Sequence, residues 1–153
     1  MSRQCGGCKV CCRVLAVPGL DKQKGHHCHH ESTAGCAIYK KGRPPECLTF
    51  KCLWLRDDES LIARLPDRPD KTGVMLVGPV KSEFTKRTGI PVIFAYENNL
   101  GDFERYQGDK LIKRINKKHL VLLIRGEARV FLGPAPLVEV AKKFVHAVIA
   151  GGT

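Results

Sequence analysis

The clearest periodicity lies near the C-terminal end. Leu137, Val138, Ala141, Phe144, Val145, Val148 and Ile149 recur at i, i+1, i+4, i+7, i+8, i+11 and i+12, the stripe of a helix with one buried side, and Pro136 suits its first turn. Upstream, residues 120–125 and 127–132 are apolar runs on either side of Gly126, a predicted hairpin. Leu111, Ile112 and Ile115 share one face of a helix that Gly108 or Asp109 can start, with Lys110, Lys113, Arg114 and Lys117 around it. Residues 73–78 and 90–97 are rich in Val, Ile and Phe and read as strands, separated by a polar loop containing Gly89. The order β-β-α-β-β-α predicts an α+β fold, an antiparallel sheet with helices packed on one face.

The pattern is different before residue 66. Residues 66–72, Pro-Asp-Arg-Pro-Asp-Lys-Thr, read as a connector between an N-terminal lobe (residues 1–66) and an α+β domain (residues 67–153). Within the lobe, residues 14–17 are a short apolar run ended by Pro18-Gly19, a strand or turn lead-in, and residues 21–35 are polar and loop-like. Pro44 and Pro45 bar a continuous helix between Cys36 and Cys47. Asp57 or Ser60 can cap a short helix bearing Leu61, Ile62 and Leu65 before Pro66 stops it, and the acidic triplet Asp57-Asp58-Glu59 suits the dipole at such a start. Apolar side chains other than cysteine make up 29% of residues 1–55 but 47% of residues 73–153. The lobe therefore cannot offset its chain entropy by burial alone, and something must cross-link it.

Composition supplies the cross-link. All eight cysteines, Cys5, Cys8, Cys11, Cys12, Cys28, Cys36, Cys47 and Cys52, fall in this lobe, together with His26, His27, His29 and His30. The chain has no run approaching the ~18 apolar residues of a membrane span, and its first residues carry no apolar stretch of signal-peptide type. This reads as a cytoplasmic protein without a membrane partner, in a compartment where closely spaced cysteines bind metal in preference to forming disulfides. Cys5-Gly6-Gly7-Cys8 has the spacing of a metal knuckle, and adjacent Cys11 and Cys12 would each need a different disulfide partner. The formal charge of +11 counts every cysteine as neutral; eight thiolates around two divalent ions would bring it to +7. Basic residues beside such a cluster would lower the thiol pKa values.

The order C-x2-C-x2-C-C, then a further Cys, then G-C-x-I-Y-x-x-x-R-P-x-x-C-x-x-F-x-C-x-W-L resembles the CxxCxxCC cysteine-cluster family of zinc- or iron-chelating domain proteins. The matching positions are Cys5, Cys8, Cys11, Cys12, Cys28, Cys36, Ile38, Tyr39, Arg43, Pro44, Cys47, Phe50, Cys52, Trp54 and Leu55, in the first third of the chain. The resemblance implies metal chelation, by zinc or iron, and supplies no substrate.

Eight thiolates can hold two separate four-sulfur sites, one bridged binuclear site, or an iron–sulfur cluster with four cysteines to spare. Cys11 and Cys12 point apart, which favours two ions, and zinc is preferred to iron or an iron–sulfur cluster because the spacing departs from the common iron–sulfur runs. Structural zinc contributes ~10–16 kcal/mol, ample for a lobe of this size. Trp54 and Phe50 are expected to pack over the cluster. Tyr39 and Arg43 either hydrogen-bond thiolates or serve packing and the turn. The four clustered histidines read as a solvated loop, with an accessory metal site as the alternative, and His119 and His146 read as surface or satisfied residues. No Walker loop, G-x-G-x-x-G, H-E-x-x-H or nucleophile elbow occurs, so no catalytic residue is assigned. Two further readings stand beside the structural or metal-handling one: an iron–sulfur redox protein or enzyme, and a zinc-stabilised nucleic-acid module using Lys110, Lys113, Arg114, Lys117 and Lys118. The latter lacks a stacking platform or recognition helix. A protein partner for the C-terminal half is left unidentified, as is the oligomeric state.

Overall fold

The structure, a computed structural model, describes residues 3–56 and 62–151. The helix that Asp57 or Ser60 would cap, with its acidic triplet and Leu61, lies outside the described residues. The N-terminal lobe contains α1 (Val10–Val14), a small hairpin of β1 (Glu31–Ser32) and β2 (Gly35–Cys36), α2 (Pro45–Thr49) and α3 (Leu53–Arg56). After α4 (Pro69–Thr72) come β3 (Val74–Val80), α5 (Glu83–Thr88), β4 (Val92–Glu97), α6 (Tyr106–Ile115), β5 (Leu120–Arg125), β6 (Ala128–Leu132) and α7 (Ala135–Gly151).

The expected order of strands and long helices is present, and the short α5 occupies the predicted polar loop. Pairing differs from the expectation. The four-stranded sheet has the order β3-β4-β5-β6, with β4 and β5 parallel and the outer pairs antiparallel. A sheet of one sense was the wrong inference from a strand-helix-strand order, because a helical crossover is what a parallel pair requires. The β5–β6 hairpin runs in register from Val121↔Leu132 to Arg125↔Ala128 around Gly126, as the two apolar runs predict.

Helices lie on both faces of the sheet, not one. Val92, Phe94, Leu120 and Leu122 pack with Leu137, Val138, Ala141 and Phe144 of α7 and with Phe84 of α5. The alternate positions Ile93, Ala95 and Val121 pack with Leu111, Ile112 and Ile115 of α6, and with Val10, Leu53 and Trp54 of the N-terminal lobe. Period-two alternation in strands with two apolar faces sends successive residues to opposite layers. The lobe therefore contributes side chains to the same core as the sheet.

Two local expectations are revised. Residues 66–72 are not a loose connector: a 3-10 turn (Leu65–Asp67) runs into α4, with Asp67, Pro69 and Thr72 buried. Asp67 accepts from the Arg64 amide at 2.6 Å and from both guanidinium nitrogens of Arg114 on α6, and Arg114 also donates to the Ile62 carbonyl at 3.2 Å. The prolines start turns here, with Pro69 in the first turn of α4. Second, α6 begins at Tyr106, so Gly108 and Asp109 are inside it. Gly108 answers a close approach: a Cβ there would sit 2.0 Å from the Asp102 carbonyl oxygen. Among the described residues no helix is long and apolar enough to cross a membrane.

Candidate metal centre

Every cysteine reaches the same place. Cys5 and Cys8 flank a turn closed by the Cys8 amide donating to the Cys5 carbonyl at 2.9 Å. Cys11 and Cys12 are consecutive in α1, and their side chains meet in a hydrogen bond. The Cys28 amide donates to the Cys12 carbonyl at 3.0 Å, and Cys36 lies opposite Glu31 in the small hairpin. Cys47 is in α2, which Pro45 starts, and buried Cys52 precedes α3. All eight line one cavity of about 270 Å³, whose walls also include Val10, Leu15, Phe50, Trp54 and Met75. Every cysteine is a free thiol.

Several contacts hold these short pieces together. Arg13 of α1 clamps Glu31 of β1 through Nη2 at 2.7 Å and Nε at 3.0 Å, fixing α1 against the hairpin. Gly35 approaches the Cys5–Cys8 turn so closely that a Cβ would meet the Gly6 carbonyl oxygen at 2.4 Å. Arg68 donates to the Cys5 carbonyl at 3.1 Å, and the Gly19 amide donates to Glu46 of α2 at 3.2 Å. Trp54 donates to the Leu65 carbonyl at 3.0 Å while Arg3 and Arg68 lie over its ring. Trp54 and Phe50 line the cavity.

Burial raises most of the thiols, and Cys12 departs from that pattern. Burial pushes Cys52 up to about 11, with the thiolates of Cys5 and Cys8 adding to the rise. Cys11 is raised by its hydrogen bond to Cys12 and by burial, and feels Cys5 and Cys8 as well. Cys47 is raised by burial and then by Cys12, Cys28 and Cys36; Cys36 is raised by burial and then by Cys12 and Cys28. Cys12 is held down to about 7 by the hydrogen bond from Cys11, against burial, with Lys22 and Lys9 also favouring its thiolate. Burial raises Cys5 too, followed by Cys8 and, less, Cys12, while the Tyr39 hydroxyl and Arg43 oppose the rise. Cys5 and Cys8 thus act on Cys11 and Cys52, and Cys12 and Cys28 act on Cys36 and Cys47, while Cys12 also acts on Cys11 and Cys5.

Tyr39 and Arg43 pack on each other, and Tyr39 reaches a cysteine sulfur. Arg43 stacks on the Tyr39 ring at 4.0 Å and donates to the Cys47 carbonyl at 3.4 Å, and Tyr39 hydrogen-bonds the Cys5 sulfur. Two participants carried no sequence signal. Lys22 is buried, donates to the Leu15 and Gln23 carbonyls, and faces Cys28, Cys12, Cys11 and Cys47. Met75 of β3 brings a thioether to the cavity wall from within an ordinary apolar strand. The histidines do not take part in the wall. His26, His27 and His29 are exposed, with His27 at 3.5 Å from Glu31 and His29 stacked on His30 at 4.0 Å.

The donor set is sulfur, which suits soft or borderline metals. Arg43 Nε, in a residue of the wall, is buried without a hydrogen-bond partner, a donor that a negatively charged metal–thiolate group would satisfy. Among the described residues, no three His, Cys, Asp or Glu side chains are arranged as a ready-made ion cage; the cysteines line a common space. The basic helix face is partly committed within the chain: Arg114 to Asp67, Lys113 to Asp109 at 2.8 Å, and Lys110 over the Tyr106 ring.

Fold and site together define an α+β protein carrying an eight-thiol cavity beside a mixed sheet. No family model, curated protein or solved structure matches the chain, and the resemblance to the CxxCxxCC family rests on the residues alone.

Proposed function

We propose that this chain is a metal-binding protein of the cysteine-cluster kind, whose thiolates hold two ions, zinc in preference to iron, in a structural or metal-handling role. The observation that carries this reading is that eight cysteines spread from Cys5 to Cys52 line one cavity. A bound ion would supply the cohesion that so short a set of helices and strands lacks, because ligand binding free energy is folding free energy in such lobes. All eight cysteines are the ligands, with Tyr39 and Lys22 supporting their negative charge. Thiolate sites of four sulfurs are closed and carry no open catalytic position. A nucleic-acid role has less support, since the basic helix face spends part of its charge on internal partners.

Iron is the other metal that sulfur admits, as an ion or an iron–sulfur cluster. Anaerobic purification followed by elemental analysis and a visible spectrum separates the two. A colourless protein with about two zinc ions per chain supports the favoured reading. Iron with acid-labile sulfide and absorption that bleaches on reduction replaces it with a redox centre. A protein that retains neither metal, and takes up neither after reduction, refutes metal binding altogether.

A further inference from the structure

We infer that the eight cysteines make two metal sites of unequal mobility: an inner site of Cys5, Cys8, Cys11 and Cys52, and an outer, exchangeable site of Cys12, Cys28, Cys36 and Cys47. This rests on the metal-binding reading and adds which ligands share an ion and which ion the protein can hand on.

Packing separates the two sets. Cys52 belongs to the main core cluster, and Cys8 and Cys11 pack against it, alongside Leu53, Trp54 and Met75. Cys5 is tied to Cys8 by their shared turn and held by Arg68 through its carbonyl. Opening the inner site therefore requires disturbing the core that the lobe shares with the sheet. The outer ligands belong to none of that cluster. Cys36 is in β2 of a hairpin with only two residues in each strand, Cys28, itself buried, precedes that hairpin, and Cys47 is on α2, a five-residue helix with no buried residue. Cys12 meets them through the Cys28 amide, and the buried Lys22 faces Cys28, Cys12 and Cys47 as well as Cys11. Segments with few buried contacts open at lower free energy than core segments, so the outer ion leaves first. The two sets meet at Cys11 and Cys12, consecutive residues of α1.

The test uses the full chain loaded with zinc and challenged with excess of the coloured chelator 4-(2-pyridylazo)resorcinol, recording zinc released against time. Two ions are expected to leave in two equal phases separated by about tenfold or more. Cys47→Ser and Cys36→Ser each bind one zinc and lack the fast phase, while the slow phase keeps its rate. Cys52→Ser lacks the slow phase; should it fail to fold, the wild-type time course and the two outer variants decide the matter without it. Release of both wild-type ions in one phase, or loss of both from Cys47→Ser, overturns the division while leaving metal binding intact. A wild-type chain that takes up no zinc overturns the zinc reading beneath it.

Discussion

The Cys11–Cys12 pair offers a quantitative test of the cavity's electrostatics in the reduced, metal-free chain. The hydrogen bond from Cys11 holds Cys12 near pKa 7, so about half of it is thiolate at pH 7. Cys11→Ala removes that donor and lets Cys12 return toward the ordinary ~8.5, leaving roughly 3% thiolate, a fall of about sixteenfold. A more basic thiolate is a better nucleophile by about four- to sixfold over this interval, so the net alkylation rate of Cys12 should drop about three- to fourfold. Cys52 is the internal reference. Burial places it at about 11, so its thiolate is scarcer than that of Cys12 by roughly 5000-fold, and higher nucleophilicity recovers only part, leaving it about a hundredfold slower. Timed iodoacetamide labelling at pH 7, quenched and read by peptide mass spectrometry, gives both ratios. Lowering the pH to 5 protonates Cys12 and slows its labelling by about fiftyfold, the sign required of a depressed pKa. Equal labelling of Cys12 and Cys52, or an unchanged Cys12 rate in Cys11→Ala, would refute the assigned hydrogen bond.

Gly108→Ala ought to stabilise a free helix by ~1 kcal/mol, yet here the new methyl would lie 2.0 Å from the Asp102 carbonyl oxygen. Overpacking of ~1–3 kcal/mol should outweigh the propensity gain, and urea unfolding that shows equal or higher stability would contradict the close approach. Asp67→Ala removes the acceptor of the Arg64 amide and the partner of half-buried Arg114, and should cost about 2–4 kcal/mol in thermal or chemical unfolding. A loss below about 0.5 kcal/mol would make that contact an ordinary surface pair.

Elements governed by contacts close in sequence were legible. The stripe from Leu137 onward became α7, and the apolar runs around Gly126 became β5 and β6. Leu111, Ile112 and Ile115 are buried as their shared face predicts, although the helix carrying them starts earlier than Gly108 or Asp109 suggested. That misreading has a specific cause: Gly108 serves a loop that approaches from Asp102 and says nothing about a helix end. The prolines of residues 66–72 misled similarly, since Pro marks the first turn of a helix as readily as a break.

Sequence alone established that all eight cysteines lie in the N-terminal third, which is poorer in apolar side chains than the rest. Only the tertiary structure decided which distant cysteines join Cys11 and Cys12, that Lys22 and Met75 stand at the cavity, and that β4 and β5 run parallel with helices on both sides. Those outcomes depend on chain segments meeting across tens of residues, where shape, burial and charge are satisfied jointly, and no local pattern encodes a joint condition.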